Sequence, residues 1–186
     1  MTKLFYNNVK EDDTMKFVFE KWLELPRLNE ENEMSGYALF NSVDNEELHF
    51  PMEVFVNKED LKENEVYDLD VLFYCHGINK IAKNRKEFEA LNEPLNYEAT
   101  IPTGSYPLDE NDKDFKPSPI SLINCTITNI VSNEEVPHPA NILIFDASLL
   151  GIEIEAAIVA EKKSDLPKLS KGNILSGIFW AEAELF

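Results

Sequence analysis

The stretch KGNILSGIFWAEAELF, Lys171 to Phe186, alternates as a β-strand does and indicates the fold class of the chain. Successive side chains of a strand point to opposite faces. One face would be a core face, with Leu175, Phe179, Ala181, Ala183 and Leu185. The other carries Ile174, Ile178, Trp180, Glu182 and Glu184. Trp180 therefore lies at the border between a buried and a solvent-exposed part of this face. It is either a packing residue or an exposed residue that binds a partner.

Similar alternation recurs in both halves of the chain. In VYDLDVLFYCH, residues 66–76, the odd-numbered positions from Tyr67 to Cys75 are apolar. ISLINCTITNIV (120–131), NILIF (141–145) and IEIEAAIVA (152–160) follow, with a hairpin turn near Ser148 to Gly151. Together with the final strand, the last three runs make four strands in about 70 residues. Such a series predicts a small antiparallel barrel or a strongly curved sheet. An oligonucleotide/oligosaccharide-type barrel is one compatible closure, by an architectural analogy that implies no function.

The first quarter of the chain is less regular. TMKFVFEKWLELPRL, residues 14–28, fits a helix and a strand equally well, and Pro26 is expected to end either element. SGYALFNSV and ELHFPMEVFV predict two strands of a hairpin, with Pro51 at an edge or a bulge. RKEFEALNEP, residues 85–94, is the best short helix.

A proline-rich segment divides the chain. IPTGSYPLDENDKDFKPSP, residues 101–119, has the composition of a loop. It predicts a β-rich part at 1–116 and an antiparallel barrel-like unit at 117–186, or alternatively one continuous domain. LKENEVYDLDVLFYC (61–75) and LSKGNILSGIFWAEA (169–183) share a pattern too weak to establish a duplication. The predicted fold is mainly β, or β-rich α+β, with one or two short helices.

Charge is the strongest global signal. The chain has 35 acidic and 17 basic residues and a net charge of -18. Such a field repels phosphate backbones and anionic membrane surfaces and favours basic partners. We therefore expect no nucleic-acid or membrane binding. Solubility alone is the simpler interpretation of the acidity.

Compartment and redox state follow from the cysteines and the opening segment. Two cysteines give no disulfide framework in a chain of 186 residues. MTKLFYNNVKEDD lacks the apolar segment of a signal peptide, and no run approaches the roughly 20 apolar residues that cross a bilayer. These features predict a cytoplasmic protein.

Motifs for catalysis or metal binding are weak. Cys75 and His76 are adjacent, but neighbours on a strand point apart, so Cys75 and Cys125 are expected to be buried, unpaired core thiols. The histidines have no metal-ligand spacing, and DENDKDF (109–115) departs from a calcium loop. No nucleotide-binding or hydrolase signature is present. The sequence thus predicts no catalytic residue, metal or cofactor.

Two classes of function remain. The favoured one is an acidic, non-enzymatic interaction module, such as an inhibitor, immunity-type or assembly protein, that docks on a basic partner or self-associates. Its predicted binding residues are Trp180, Glu182, Glu184 and His138, the last lying in the proline-flanked loop VPHPAN. The alternative is an enzyme or small-ligand-binding protein with a site assembled between the two halves.

Overall fold

The computed structural model describes residues 14–29, 32–46, 48–91, 94–107, 112–132, 134 and 139–185. This part of the chain is mainly β, as predicted, with one short α-helix, α1 (Arg85–Ala90), and two 3-10 turns. Its nine strands are β1 (Met15–Leu28), β2 (Met34–Ser42), β3 (His49–Val54), β4 (Val66–Ala82), β5 (Ala99–Ile101), β6 (Ile120–Ile130), β7 (Ile142–Leu149), β8 (Ile152–Val159) and β9 (Ile174–Leu185).

All nine strands belong to one sheet that closes through two rings. One ring runs β1-β2-β3-β9-β4 and returns to β1. The other runs β6-β7-β8-β4-β9 and returns to β6. Strands β4 and β9 belong to both rings and pair with each other along most of their length. Each half of the chain therefore closes its barrel only with a strand from the other half.

The strand path repeats between the two halves. In each half three antiparallel strands are followed by a fourth, β4 or β9, that pairs with the first of its own half. The fourth strand also pairs in parallel with the third of the other half. Aligning 61–75 with 169–183 brings Phe73 onto Ala181, and these two residues are paired across β4 and β9. The weak sequence similarity thus coincides with a two-fold repeat of topology.

The predicted division at 116/117 falls in the connection between β5 and β6. The strands on both sides of that connection belong to the same sheet, and β4 lies between β8 and β9 of the later half. Any site on the central strands is consequently built from both halves.

One main core fills the interior. Its fully buried side chains include Phe17, Phe19, Phe40, Phe50, Phe73, Phe145 and Phe179. Edge-to-face ring contacts, such as Phe50 with Phe73 at 5.3 Å between centroids, connect the early strands to β4. Burial of each ring contributes about 2 to 3 kcal/mol. The predicted core faces of β4 and β9 are confirmed, because Val71, Phe73, Phe179 and Ala181 all lie in this core.

Pro26 does not end the first element, contrary to expectation. β1 continues to Leu28, and its pairing with β2 shifts register between Glu24 and Arg27. At such an irregularity the missing N–H of proline need not interrupt the ladder. Gly36 allows the close approach, since a Cβ there would lie 2.8 Å from the nitrogen of Pro26.

Other local predictions are confirmed. Helix α1 begins after Asn84, whose side chain accepts a hydrogen bond from the backbone N–H of Glu87. The β7–β8 hairpin turns at Leu150 and Gly151, both with positive φ. Pro51 lies in β3, which pairs with β9 only at Glu53 and Val54, so the proline has the edge-like position expected. No helix in the described part of the chain is long and apolar enough to span a membrane.

Candidate functional site

The face of the sheet opposite the core carries a row rich in acids beside an apolar row. Directly paired residues on β2, β3, β9, β4, β8 and β7 form the first row: Tyr37, Glu53, Glu182, Leu72, Glu155 and Asp146. The second row consists of Trp180, Tyr74, Ala157 and Ile144. Paired residues share a face of a sheet, so these side chains are lateral neighbours. We call this surface the acidic-aromatic face.

Two carboxylates meet where the halves of the chain join. Glu53 and Glu182 are direct partners in the parallel β3–β9 pairing, where strands lie about 4.8 Å apart. Burial, reinforced by the charges of Glu53 and Glu184, raises the pKa of Glu182 to about 7. Burial also raises the pKa of Glu53, although a hydrogen bond with the Ser35 side chain opposes this. Ionisation of both groups together is therefore unfavourable.

Trp180 lies beside this carboxyl pair. Its ring is partly buried and meets Tyr37 edge-on at 5.9 Å between centroids, and it meets the His76 ring at 5.8 Å. The indole N–H is near enough to Glu53 to lower the pKa of that carboxyl. Its nitrogen is nevertheless buried without a hydrogen bond of ordinary geometry. The indole thus has donor capacity that the fold does not fully use.

The apolar side chains of β1 do not pack on Trp180. Phe17 and Phe19 both face the main core. Trp22 also packs against that core. Trp180 instead packs on a second apolar cluster, formed by Leu72, Tyr74, Ile142, Ile144 and Ala157. The strand alternation of β1 placed the two phenylalanines on one face without showing which neighbour that face would meet.

Tyr74 supports the acidic side of this face. Its side chain is hydrogen-bonded to Glu182, with the hydroxyl donating to the carboxylate. Burial, together with the charges of Glu182 and Glu155, raises the pKa of Tyr74 far above its ordinary value, so the tyrosine stays neutral. The hydroxyl of Tyr74 lowers the pKa of Glu182 and so opposes the effect of burial on that carboxyl.

Two cavities flank the indole. The larger, of about 460 Å³, is lined by Glu24, Arg27, Leu28, Asn29, Ser35, Gly36, Tyr37 and Glu53. The smaller, of about 280 Å³, is lined by Tyr74, Cys75, His76, Val159, Ala160 and Glu161. Trp180 lines neither cavity, but its ring contacts Tyr37 of the first and His76 of the second. In the larger cavity Arg27 is already paired with Glu24 at 2.8 Å.

The side chains of the adjacent cysteine and histidine lie on opposite faces of β4, although both residues line the smaller cavity. Cys75 is buried in the main core, and burial raises the pKa of its thiol to about 11. His76 lies on the opposite face against Trp180, where burial lowers the pKa of its imidazole. Cys125 is also buried, and both thiols are unpaired, which confirms the prediction for the cysteines. Within the described residues, no three His, Cys, Asp or Glu side chains cluster closely enough to hold a metal ion.

The structure places three of the predicted binding residues on one strand. Trp180, Glu182 and Glu184 share the outward face of β9, and Glu184 is paired with Asp70. His138 lies outside the described residues. The sequence reasoning missed Glu53, Tyr37 and Tyr74. Alternation within ELHFPMEVFV could have placed Glu53 opposite the core, but not beside Glu182 on another strand.

Comparisons with known protein families, with characterised proteins and with solved structures find no match to this chain. The chemistry of the face must therefore be inferred from its own residues. A pair of desolvated carboxyl groups beside an indole suits a cation, because carboxylates supply charge and aromatic faces attract ammonium and guanidinium groups.

Proposed function

We propose that this protein is a non-enzymatic interaction module that docks on a basic partner through its acidic-aromatic face. A lysine or arginine side chain of the partner lies between Glu53 and Glu182 and against the ring of Trp180. The observation that supports this most directly is the carboxyl pair itself. Among the described residues, no lysine or arginine forms an ion pair with either carboxylate.

Energetics favour an external cation at this position. Two partly buried carboxylates in direct register repel each other, and the repulsion is not screened as it is in water. A cation placed between them would relieve that cost and form charge-assisted hydrogen bonds. The net charge of -18 would also speed the approach of a basic partner.

A defined cationic probe tests the site. Fluorescence anisotropy of a labelled hexa-arginine peptide is measured against the parent and against the Glu53→Gln/Glu182→Gln variant at physiological salt. We expect the double variant to bind at least tenfold more weakly, the scale of one buried charge contact.

A matched variant separates site binding from diffuse attraction. Glu59→Gln/Glu63→Gln removes the same number of carboxyl groups from exposed positions between β3 and β4, outside the acidic-aromatic face. This variant should bind within about twofold of the parent, since exposed charges contribute little to any one contact. An equal loss of affinity in both double variants would contradict the assignment of the site.

A small-ligand-binding protein or an enzyme is the second candidate. The 460 Å³ cavity favours it, because the volume is in the range of small-molecule sites and polar groups line it. Glu53, which lines this cavity, is paired with Glu182 of the C-terminal half, so both halves of the chain contribute residues at this place. Binding of a free amino-acid amide, such as argininamide, as tightly as the peptide would favour this candidate over docking.

Other expectations stay predictions. Inhibitor, immunity-type and assembly roles, self-association and a cytoplasmic location are all compatible with the proposed docking. The net negative charge of the chain predicts negligible affinity for single-stranded nucleic acid, weaker than the ~10⁻⁴ to 10⁻⁶ M of non-specific binders. Salt-sensitive micromolar binding of an oligonucleotide would contradict that expectation.

A further inference from the structure

We infer that the Glu53–Glu182 pair shares one proton in the free protein, lost as pH rises through neutrality, and releases it to solvent when a cationic side chain docks. Capture of the partner is then coupled to pH. This inference rests on the proposed docking function, which supplies the cation, but its first half concerns the free protein alone. It specifies how the same site is regulated.

Geometry provides the basis for a shared proton. The two residues are direct lateral partners on adjacent strands, so backbone hydrogen bonding holds their Cβ atoms about 5 Å apart and keeps the two carboxyl groups within reach of each other. Both side chains are partly buried. Like carboxyl groups held this close titrate as a pair, with one proton retained well above the usual range.

Burial is the largest effect on the pair and favours retention of that proton, whereas the positive charge of the N-terminal amino group and the hydroxyl of Tyr74 lower the pKa of Glu182. The N-terminal charge and the side chains of Ser35 and Trp180 likewise lower the pKa of Glu53. Titratable groups that face the pair or its neighbours are Tyr37 on β2, Glu184 on β9, Asp70, Tyr74 and His76 on β4, and Glu155 on β8. Most of these are acids or neutral tyrosines. Glu24 and Arg27 of β1 act on the hydroxyl of Tyr37. Their own salt bridge offsets much of the charge of the arginine.

Docking changes this balance in a defined direction. A cation between the carboxyl groups favours their ionised forms, so the O–H bond of the pair breaks and the proton passes to the buffer. Below neutral pH the partner must displace a proton, and above it the pair is already ionised. For a midpoint near pH 7 the affinity should rise about tenfold between pH 6 and pH 8.

The free protein provides the first test. In a Trp22→Phe background, Trp180 is the only tryptophan, and its emission is recorded from pH 5 to pH 9. We expect a transition near pH 7, because the charge next to the indole changes. Glu182→Gln should abolish the transition, and Glu63→Gln, in an exposed turn, should leave it unchanged. A flat curve in the parent, or a transition that survives Glu182→Gln, would overturn the shared proton.

Calorimetry provides the second test. Hexa-arginine peptide is titrated into the protein at pH 7 in phosphate and in Tris, whose ionisation heats differ. We expect the difference in heat to report release of about half a proton or more, and none from Glu182→Gln. Binding without proton release would overturn the inference and leave the docking function intact. A pH transition in the free protein without any peptide binding would instead contradict the docking function.

Discussion

Glu53 of β3 lies directly beside Glu182 of β9 in the parallel pairing that joins the two halves of the chain. Because the topology repeats, this junction has an equivalent in the other ring, and the residues at the two junctions differ. The equivalent pairing in the other ring joins Tyr74 of β4 to Ala157 of β8, where no carboxylate is present. The neighbouring outward pair of that junction, Leu72 with Glu155, carries a single carboxylate. Two carboxyl groups are therefore direct partners at the β3–β9 junction and not at the β4–β8 junction, which points to the β3–β9 junction as the specialised one.

Stability should depend on pH through Glu182. Its pKa is about 7 in the folded protein, above the usual value. The stabilisation due to the protonated form is full below about pH 4.5 and is lost as pH rises through about 7. Glu182→Gln, which mimics the protonated form, should raise the free energy of unfolding at pH 8 by about 1 to 2 kcal/mol, after allowance for partial exposure.

Urea denaturation at two pH values checks this. The gain from Glu182→Gln should disappear at pH 5, where the parent is itself protonated. Glu63→Gln, in an exposed turn, serves as the control. A gain of equal size at both pH values would show that ionisation is not the cause.

Trp180 should contribute to stability less than a fully buried tryptophan. Its ring is partly buried against Tyr37, His76 and the second apolar cluster. Trp180→Ala is expected to lower the free energy of unfolding by about 2 to 3 kcal/mol, below the usual range for emptying a buried aromatic site. Trp180→Phe keeps an aromatic ring and should cost about half as much. Parent-like denaturation of the alanine variant would mean that the indole is not packed.

The cysteine thiols should be unreactive in the native protein. Cys75 and Cys125 are buried in the core, and burial raises the pKa of both thiols. Thiolate is the reactive form, so a water-soluble thiol reagent should label neither residue until the protein unfolds. Mass spectrometry after native and denaturing labelling measures this. Rapid modification of either cysteine in the native state would be inconsistent with the packing described.

Gly36 should be intolerant of a side chain. A Cβ at this position would lie 2.8 Å from the nitrogen of Pro26 and 2.9 Å from the carbonyl oxygen of Glu24. Gly36→Ala should therefore lower the free energy of unfolding by about 2 kcal/mol or more, because backbone rather than a flexible side chain must move. Gly77→Ala is the matched control, since no atom lies within 4 Å of its Cβ position. Equal effects of the two substitutions would contradict the close approach of β1 and β2.

Local features of the fold followed from the sequence because they depend on local physics. Alternation identified the core faces of β4 and β9, and turn residues identified the β7–β8 hairpin. The RKEFEA run gave the helix. The prediction that Pro26 ends the first element was wrong, because proline interrupts a strand only where its missing N–H is needed for regular pairing. The irregular pairing that accommodates Pro26 involves β2, a different strand.

The site was only half accessible to sequence reasoning. Trp180 and Glu182 could be named because both lie on the outward face of one strand. Glu53 could not, because its place beside Glu182 depends on a parallel pairing between residues far apart in the chain. The raised pKa of Glu182 arises from burial and from that neighbour, neither of which spacing along a strand reveals.

Capture of a basic partner at the indole of Trp180 can be observed by proton–nitrogen NMR of the two indole groups. Trp180 lies on the acidic-aromatic face and Trp22 packs on the main core, so each indole reports a different place. On titration with hexa-arginine peptide, we expect a saturable shift of the Trp180 signal, an unchanged Trp22 signal, and loss of the effect in Glu53→Gln/Glu182→Gln. A Trp180 signal that stays fixed while the peptide binds would show that the partner docks elsewhere.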